Sequence, residues 1–483
     1  MLINHLKTAL RNLRRNKGYS ALSIFSLGTG MAVALLIGLW IFYQFSYDHF
    51  LPAHENAYAV KIRSTENGEV KVGAGTCLPL ADAIKRDIPG IQHVAQTHWI
   101  SDHLLSTQPH HITSAHQRVN TSTPHHVSII SRGLIASKDF LKIFQYPLIK
   151  GTAETVLHEP YSIVLSASTA KALFGEEDAI DKIVRFENVH DLKVSGILQD
   201  VPPNSSMQFA FIIPFSFSIA QDDWVKQNLT NWRNRSVQTF VSVDPAAPLP
   251  AMEASLKDLE KKYNPDDYKV SRPELFLHAL RHWHLYGEFD NGVMAGGLID
   301  TVKMFGIIGA LVLAISCINF MNLTTARSGR RAKEVGIRKA IGSRRQGLIL
   351  QFLTESIVVS FLALAVSLLV VQLSLPAFGA LTQTAVTIPF DNITFWLIMA
   401  GYAMLMGILA GSRPAFYLSS FKAVKVLKGS VQVGRHASMF RRLLVVAQFT
   451  ASIALINTTL IIYLQIRHAK DRPAGFTKDR LVM

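Results

Sequence analysis

The chain has 483 residues, of which 49% are hydrophobic and 17% charged. A soluble protein carries about 25% charged residues, so the average already points to lipid. Lys and Arg number 49 against 34 Asp and Glu, a net charge of +15, which has meaning only once it is located along the chain. Two cysteines, Cys77 and Cys317, exclude a disulfide framework and a four-thiolate zinc site.

Residues 1–17 place Leu2, Leu6, Ala9, Leu10 and Leu13 on one helical face, with Lys7, Arg11, Arg14 and Arg15 mostly elsewhere, which predicts an amphipathic helix lying on the inner leaflet. No charge falls between Lys17 and Asp48. That run exceeds the ~20 residues that span a bilayer and is too long for the apolar region of a cleaved signal peptide, so 18–47 is a first span. Residues 48–300 then read as an extracytoplasmic α+β domain. AYAVKIR, YSIVLS, DLKVSGIL, TFVSV and ELFLHAL are strands by alternation and β-rich content. SKDFLKIF with Ser137 as cap, SASTAKALF after Ser166, and MEASLKDLEKKY are helices. Pro202, Pro203 and Asn204 mark a turn, and two lobes are expected.

Four more charge-free segments follow at 304–326, 356–378, 392–412 and 443–466, giving five spans and an α-helical membrane protein. Between them lie 327–350 and 413–442, and a tail runs from 467 to 483. Residues 1–17, 327–350 and 413–442 together carry +19, whereas 46–303 carries −5. Basic residues of short loops stay in the cytoplasm, so the N-terminus is inside and the α+β domain outside. The positive charge is thus a topology signal, and a nucleic-acid partner is not expected.

None of the span cores holds an ionisable residue, and the nearest is Glu355 at the inner edge of the third. Carriers that couple to ions or protons need such groups near the midplane, which disfavours a conducting path. Asn319, Asn322, Gly407 and Gly411 are expected to pack helices. Chemistry is sparse elsewhere: there is no Walker A sequence, His54-Glu55 and His158-Glu159 lack the second histidine of a zincin, and no G-x-S-x-G occurs. Eight histidines crowd 93–126, including His110, His111, His125 and His126, with His282 and His284 further on. Their spacing is irregular, so the insertion reads as surface decoration and no metal, cofactor or catalytic residue is expected.

The loop after the second span reads RSGRRAKEVGIRKAIGSRRQGLILQFLTES. It resembles the signature of FtsX-like permeases of the MacB type, membrane subunits of a class of ABC transporters, at Arg327, Lys333, Glu334, Gly336, Arg338, Lys339, Gly342, Gln351, Phe352 and Glu355. LKTALRNLRRNKGYSALSIFSLGTGMA resembles the family's leading helix and first span, and YPLIKGTAETVLHEPYSIVLSASTAKALFGEEDAIDKIV its periplasmic core domain. SRPAFYLSSFKAVKVLKG matches a further family segment that often has Tyr where Arg413 stands.

The resemblance implies a short cytoplasmic coupling helix with Glu334, Gly336, Arg338, Lys339 and Gly342 as ATPase-coupling residues. Gly336, Ala340 and Gly342 would let backbones approach, and Arg338, Lys339, Arg344 and Arg345 would pair with acidic groups. As parts of an exposed loop, Glu334, Gly336 and Gly342 are expected to matter for coupling and not for folding. It also implies an inner-membrane location and a pair of cytoplasmic ATPase subunits that bind the ATP. A homodimer or second permease half would supply a second coupling loop, and a periplasmic membrane-fusion protein would serve efflux. FtsX-type control of cell-wall hydrolases and lipoprotein release are the rival functions. FRRLLVVAQFTASIALINTTLIIYLQ resembles the opening of a second copy of the unit, as in the double-length permeases of Bacteroidetes. A truncated double-length permease is therefore expected.

Overall fold

The structure, a computed structural model, describes residues 2–107, 127–326, 335–420 and 435–472. It forms two compact units, Met1–Trp40 with Phe305–Met483, and Ile41–Met304.

The first unit is helical. Five helices, Lys17–Phe45, Leu298–Thr325, Arg345–Thr382, Ile393–Ser419 and Val445–Asp471, are each long and apolar enough to cross a membrane. They arise where the expected charge-free runs lie, but helix and span are different quantities. The third runs 38 residues and begins at Arg345, because RQGLILQFLTES is fully helix-compatible although too polar to lie in hydrocarbon. The leading helix Leu2–Arg15 buries Ala9 and packs Leu13 on the bundle, while Leu6 and Leu10 stay exposed, as a leaflet-lying face requires.

Close helix contact is set by small and polar residues, among them Asn319, Gly407 and Gly411. A Cβ on Gly407 would stand 2.6 Å from Cα of Ile357, and one on Gly411 2.4 Å from Cβ of Ser356. Asn319 Nδ2 donates to Ser26 Oγ at 2.6 Å, and Ser360 Oγ to the Ala403 carbonyl at 2.7 Å. Such bonds have no water competing for them.

The second unit is built on a 12-stranded sheet. Its strands are β1 (Ala57–Glu66), β2 (Glu69–Gly73), β3 (Ile91–Thr97), β4 (Ser101–Thr107), β5 (Ser128–Ala136), β6 (Leu148–Lys150), β7 (Ser162–Ser166), β8 (Ile183–Phe186), β9 (His190–Leu198), β10 (Phe211–Pro214), β11 (Gln238–Val243) and β12 (Glu274–Ala279). The spatial order is β10-β7-β9-β8-β4-β5-β3-β11-β1-β12, with β2 on β1 and β6 on β9. All five strands expected from alternation are present. Asn67 and Gly68, both at positive φ, make the tight β1–β2 turn that an Asn-Gly pair favours.

Two lobes meet where β3 and β5 share one pair, Thr97 with Ala136. Helices Leu80–Asp87 and Leu249–Lys257 cover one lobe over Val60, Ile62, Val94, Val241 and Leu275. Helix Ala167–Phe174 covers the other over Leu105, Ile163, Leu165, Val184 and Leu192. A third cluster, with Phe140, Phe144, Tyr146, Phe209 and Phe240, completes the core.

Ser166 caps the helix that follows it, accepting from the Thr169 amide. Ser137 does not: the residue preceding helix Phe140–Phe144 is Asp139, and the Ser137 hydroxyl instead accepts the Gln96 amide at 2.9 Å. A cross-strand partner 41 residues away outcompetes the local one. The turn at Pro202–Asn204 is present and is held by the turn over residues 46–50. Asn204 Nδ2 donates to the Ser46 carbonyl, and the buried Asp48 carboxylate accepts from the Ser206 amide at 2.8 Å.

Candidate functional site

Between the second and third membrane helices the described chain resumes at residue 335 as a short helix over 335–340. Its first residue, Val335, is buried among Leu348, Phe352, Ala415 and Leu418, at the ends of the third and fourth membrane helices. Two basic residues add polar anchors. Lys339 Nζ donates to the Ser419 carbonyl at 2.7 Å, and Arg338 Nη1 to Gln351 Oε1 at 2.6 Å. The helix is therefore fastened to both neighbours.

Its end is equally defined. The Gly342 amide donates to the Lys339 carbonyl and the Ser343 amide to the Arg338 carbonyl, with Gly342 at φ +97°. This is a Schellman cap with glycine in the left-handed position. A Cβ there would meet open space, so the requirement is conformational and not steric. Gly342→Ala is expected to cost about 1–2 kcal/mol locally, and Gly342→Asn less. Hydrogen exchange checks this: amides of 335–343 should exchange about 5- to 30-fold faster in the alanine variant, with the membrane helices unchanged.

Of the five residues expected at the site, four are placed. Glu334 lies outside the described residues, as do Arg327 and Lys333. Gly336 is buried, which corrects the expectation of an exposed position. The helix turns that face onto the bundle along with Val335, so a bulky residue at Gly336 would disturb packing and could not report on coupling alone. Arg338 and Lys339 are partly engaged within the protein. What faces outward is Ile337, Ala340, Ile341, Arg344 and Arg345, with Ile341 81% exposed. Sequence reasoning passed over Ile337 and Ile341. Their signal was the spacing of four, one helical turn, in a segment otherwise rich in charge.

Arg344 and Arg345 stand at the N-terminal end of a 38-residue helix with no acidic residue in its first turn. Cations are disfavoured at that end of the helix dipole, so these two arginines do not serve helix stability.

The histidines form no metal centre among the described residues, where no group of three or more His, Cys, Asp and Glu could hold an ion. His110, His111, His125 and His126 lie outside those residues. His103 pairs with Glu187 at 2.8 Å, His98 stacks on Phe215, and His284 stacks on Tyr47 and bonds Gln44. Burial holds the His98 imidazole below its ordinary pKa and pushes His284 down to about 4.

Residues 20–259 match the family model of the MacB-like periplasmic core domain, and residues 306–421 that of the FtsX-like permease C-terminal region. The macrolide export ATP-binding/permease protein MacB of Bdellovibrio bacteriovorus is 23% identical over 447 residues, covering 88% of this chain and 62% of that protein. MacB of Haemophilus ducreyi is 25% identical, covering 67% of this chain and 44% of that protein. The pyoverdine export ATP-binding/permease protein PvdT of Pseudomonas syringae pv. syringae is 24% identical, covering 57% and 39%. The chain thus matches between 39% and 62% of the length of these relatives.

Proposed function

Because the chain belongs to the MacB/FtsX-type ABC transporter permeases, a family of multi-pass membrane proteins, we propose that it passes ATP-driven motion to its large domain and serves export. The N-terminus is cytoplasmic in this reading, the short helix over 335–340 faces an ATPase subunit, and the large domain faces the periplasm. ATP is bound by that separate subunit. ATPases working as a pair need two such helices, which a second copy of the chain or a second permease half supplies, and a periplasmic membrane-fusion protein completes an export path. The relatives named for export of a macrolide and of pyoverdine support the direction of transport.

The observation that carries this reading is the anchoring of the short helix. Its outward face offers Ile337 and Ile341 with Arg344 and Arg345 beside them, a combination that fits an apolar groove rimmed by acid. Its other face is fixed to two membrane helices through Val335, Arg338 and Lys339. A push on the outward side is therefore delivered to helix ends and is not absorbed by a loop.

Cys77 and Cys317 are both buried, so Ile341→Cys introduces an accessible thiol into a quiet background. Attached there, a photo-crosslinker should capture a nucleotide-binding ATPase subunit in cells, and in a separate variant Ile341→Asp should abolish the stimulation of that ATPase while leaving membrane insertion intact. An Ile341→Asp permease that still stimulates its ATPase would remove the short helix from the coupling path.

A further inference from the structure

Within the large domain a cleft of about 570 Å³ opens beside strands β1 and β11, a volume in the range of small-molecule sites. Its walls are unusual for a surface hollow. Trp99, which is 52% exposed, and Trp283 contribute indole rings, and Phe240, Met207 and the stacked pair Tyr47–His284 add apolar and aromatic surface. Gln238, Thr239, Ser205 and Ser206 supply hydrogen-bonding groups at one side.

The charge of this lining is one-sided. Lys61 is its only charged residue, and no Asp or Glu lines the cleft. The Lys61 ammonium has no carboxylate in an ion pair among the described residues, and it rests 4.6 Å from the ring centroid of Phe289. Burial lowers its pKa, the mark of a cation that has surrendered part of its hydration. His278 nearby is held neutral partly by that same ammonium. A partly desolvated cation at the edge of an aromatic hollow is matched by a ligand with a flat apolar body and one anionic group, since the anion restores the lost solvation and the body covers the indoles.

We propose that this cleft binds a small amphipathic organic anion, with its carboxylate or sulfonate on Lys61 and its apolar body against Trp99 and Trp283. This deepens the export reading by naming a substrate class for the large domain, and it rests on that reading only for its biological meaning. The cleft discriminates against cationic amphiphiles, because the same ammonium repels them.

The test uses the full chain in lipid nanodiscs and three water-soluble probes of one shape, 1-naphthylacetate, 2-(1-naphthyl)ethanol and 2-(1-naphthyl)ethylamine, titrated by calorimetry. The acid should bind at least tenfold more tightly than the alcohol, and the amine more weakly than either. Lys61→Met should bring the acid down to the alcohol, Lys61→Arg should keep the preference, and Trp99→Ala should weaken acid and alcohol alike. An acid that binds no better than the alcohol, or a preference that survives Lys61→Met with unfolding midpoints unchanged, overturns the site. The titrations use the chain without an ATPase subunit, so failure of the cleft and failure of the coupling helix are read separately.

Discussion

Acidification from pH 7 to pH 4 should destabilise the large domain by several kcal/mol, with His278 the main contributor. This side chain on β12 is 4% exposed, and its Nε2 is buried with no hydrogen-bond partner among the described residues. Burial, then the charge of Lys61, then His282, push its pKa from 6.5 down to about 4. In the unfolded chain the imidazole takes its proton near pH 6.5, whereas the folded protein refuses it until about pH 4. Stability from this group is therefore complete above pH 6.5 and drains away as pH falls toward 4. The difference corresponds to about 3 kcal/mol at most. His284, also pushed down to about 4 by burial, acts with the same sign but is only half-buried and contributes less. The variant His278→Leu removes the titration at similar volume. Unfolding midpoints followed by tryptophan fluorescence between pH 7 and pH 4 should fall by several degrees less in it than in the parent, and equal slopes would dismiss the account.

Two glycines of the fourth membrane helix should differ sharply although they look alike. Gly407→Ala places its methyl 2.6 Å from the backbone Cα of Ile357, where no side chain can be trimmed to make room, whereas the atoms met at Gly411 are Cβ and Oγ of Ser356. Both substitutions should destabilise the bundle, each by about 1–3 kcal/mol. Ser356→Gly should recover most of the loss at Gly411, since it removes both clashing atoms. No truncation of Ile357 should rescue Gly407→Ala as fully, because the obstacle is the backbone. Detergent-resistance midpoints of the four single variants and two double variants measure this, and equal rescue at both glycines would show that the helices shift apart instead.

These glycines were legible because a small-xxx-small pair in an apolar run has few other uses. The spans were legible for a similar reason, since exclusion of charge over more than 20 residues has one common physical cause. Ser166 could be read as a cap because its partner, the Thr169 amide, is three residues away. Ser137, Lys339 and Arg338 could not. Ser137 serves Gln96, Lys339 the carbonyl of Ser419, and Arg338 Gln351, partners reached only through the tertiary fold. Gly342 carried a second local signal beside the one drawn from the resemblance: a glycine after a short helix marks its left-handed end. His278 offered no local sign at all, being one residue in an alternating strand whose burial depends on the hairpin of β13 (Glu288–Asp290) and β14 (Val293–Gly296) bringing Phe289 against it.

The seam between the lobes has a mechanical meaning. Across it the sheet is one residue pair wide, Thr97 with Ala136, flanked by the bond from the His98 amide to the Ile135 carbonyl and that from Ser137 to Gln96. Each lobe has its own apolar core on its own strands, so each behaves as a stiff plate. Beneath the seam, the cluster around Phe140 and Tyr146 packs Ala59 and Phe240 of one lobe with Leu134 and Val164 of the other. Bending stiffness across a sheet grows with the number of rungs that must deform together, and here it is close to the minimum a continuous sheet can have. The ladder thus resists tilt of one plate against the other least at this seam, and the buried core shared by the two lobes supplies most of the resistance that remains there.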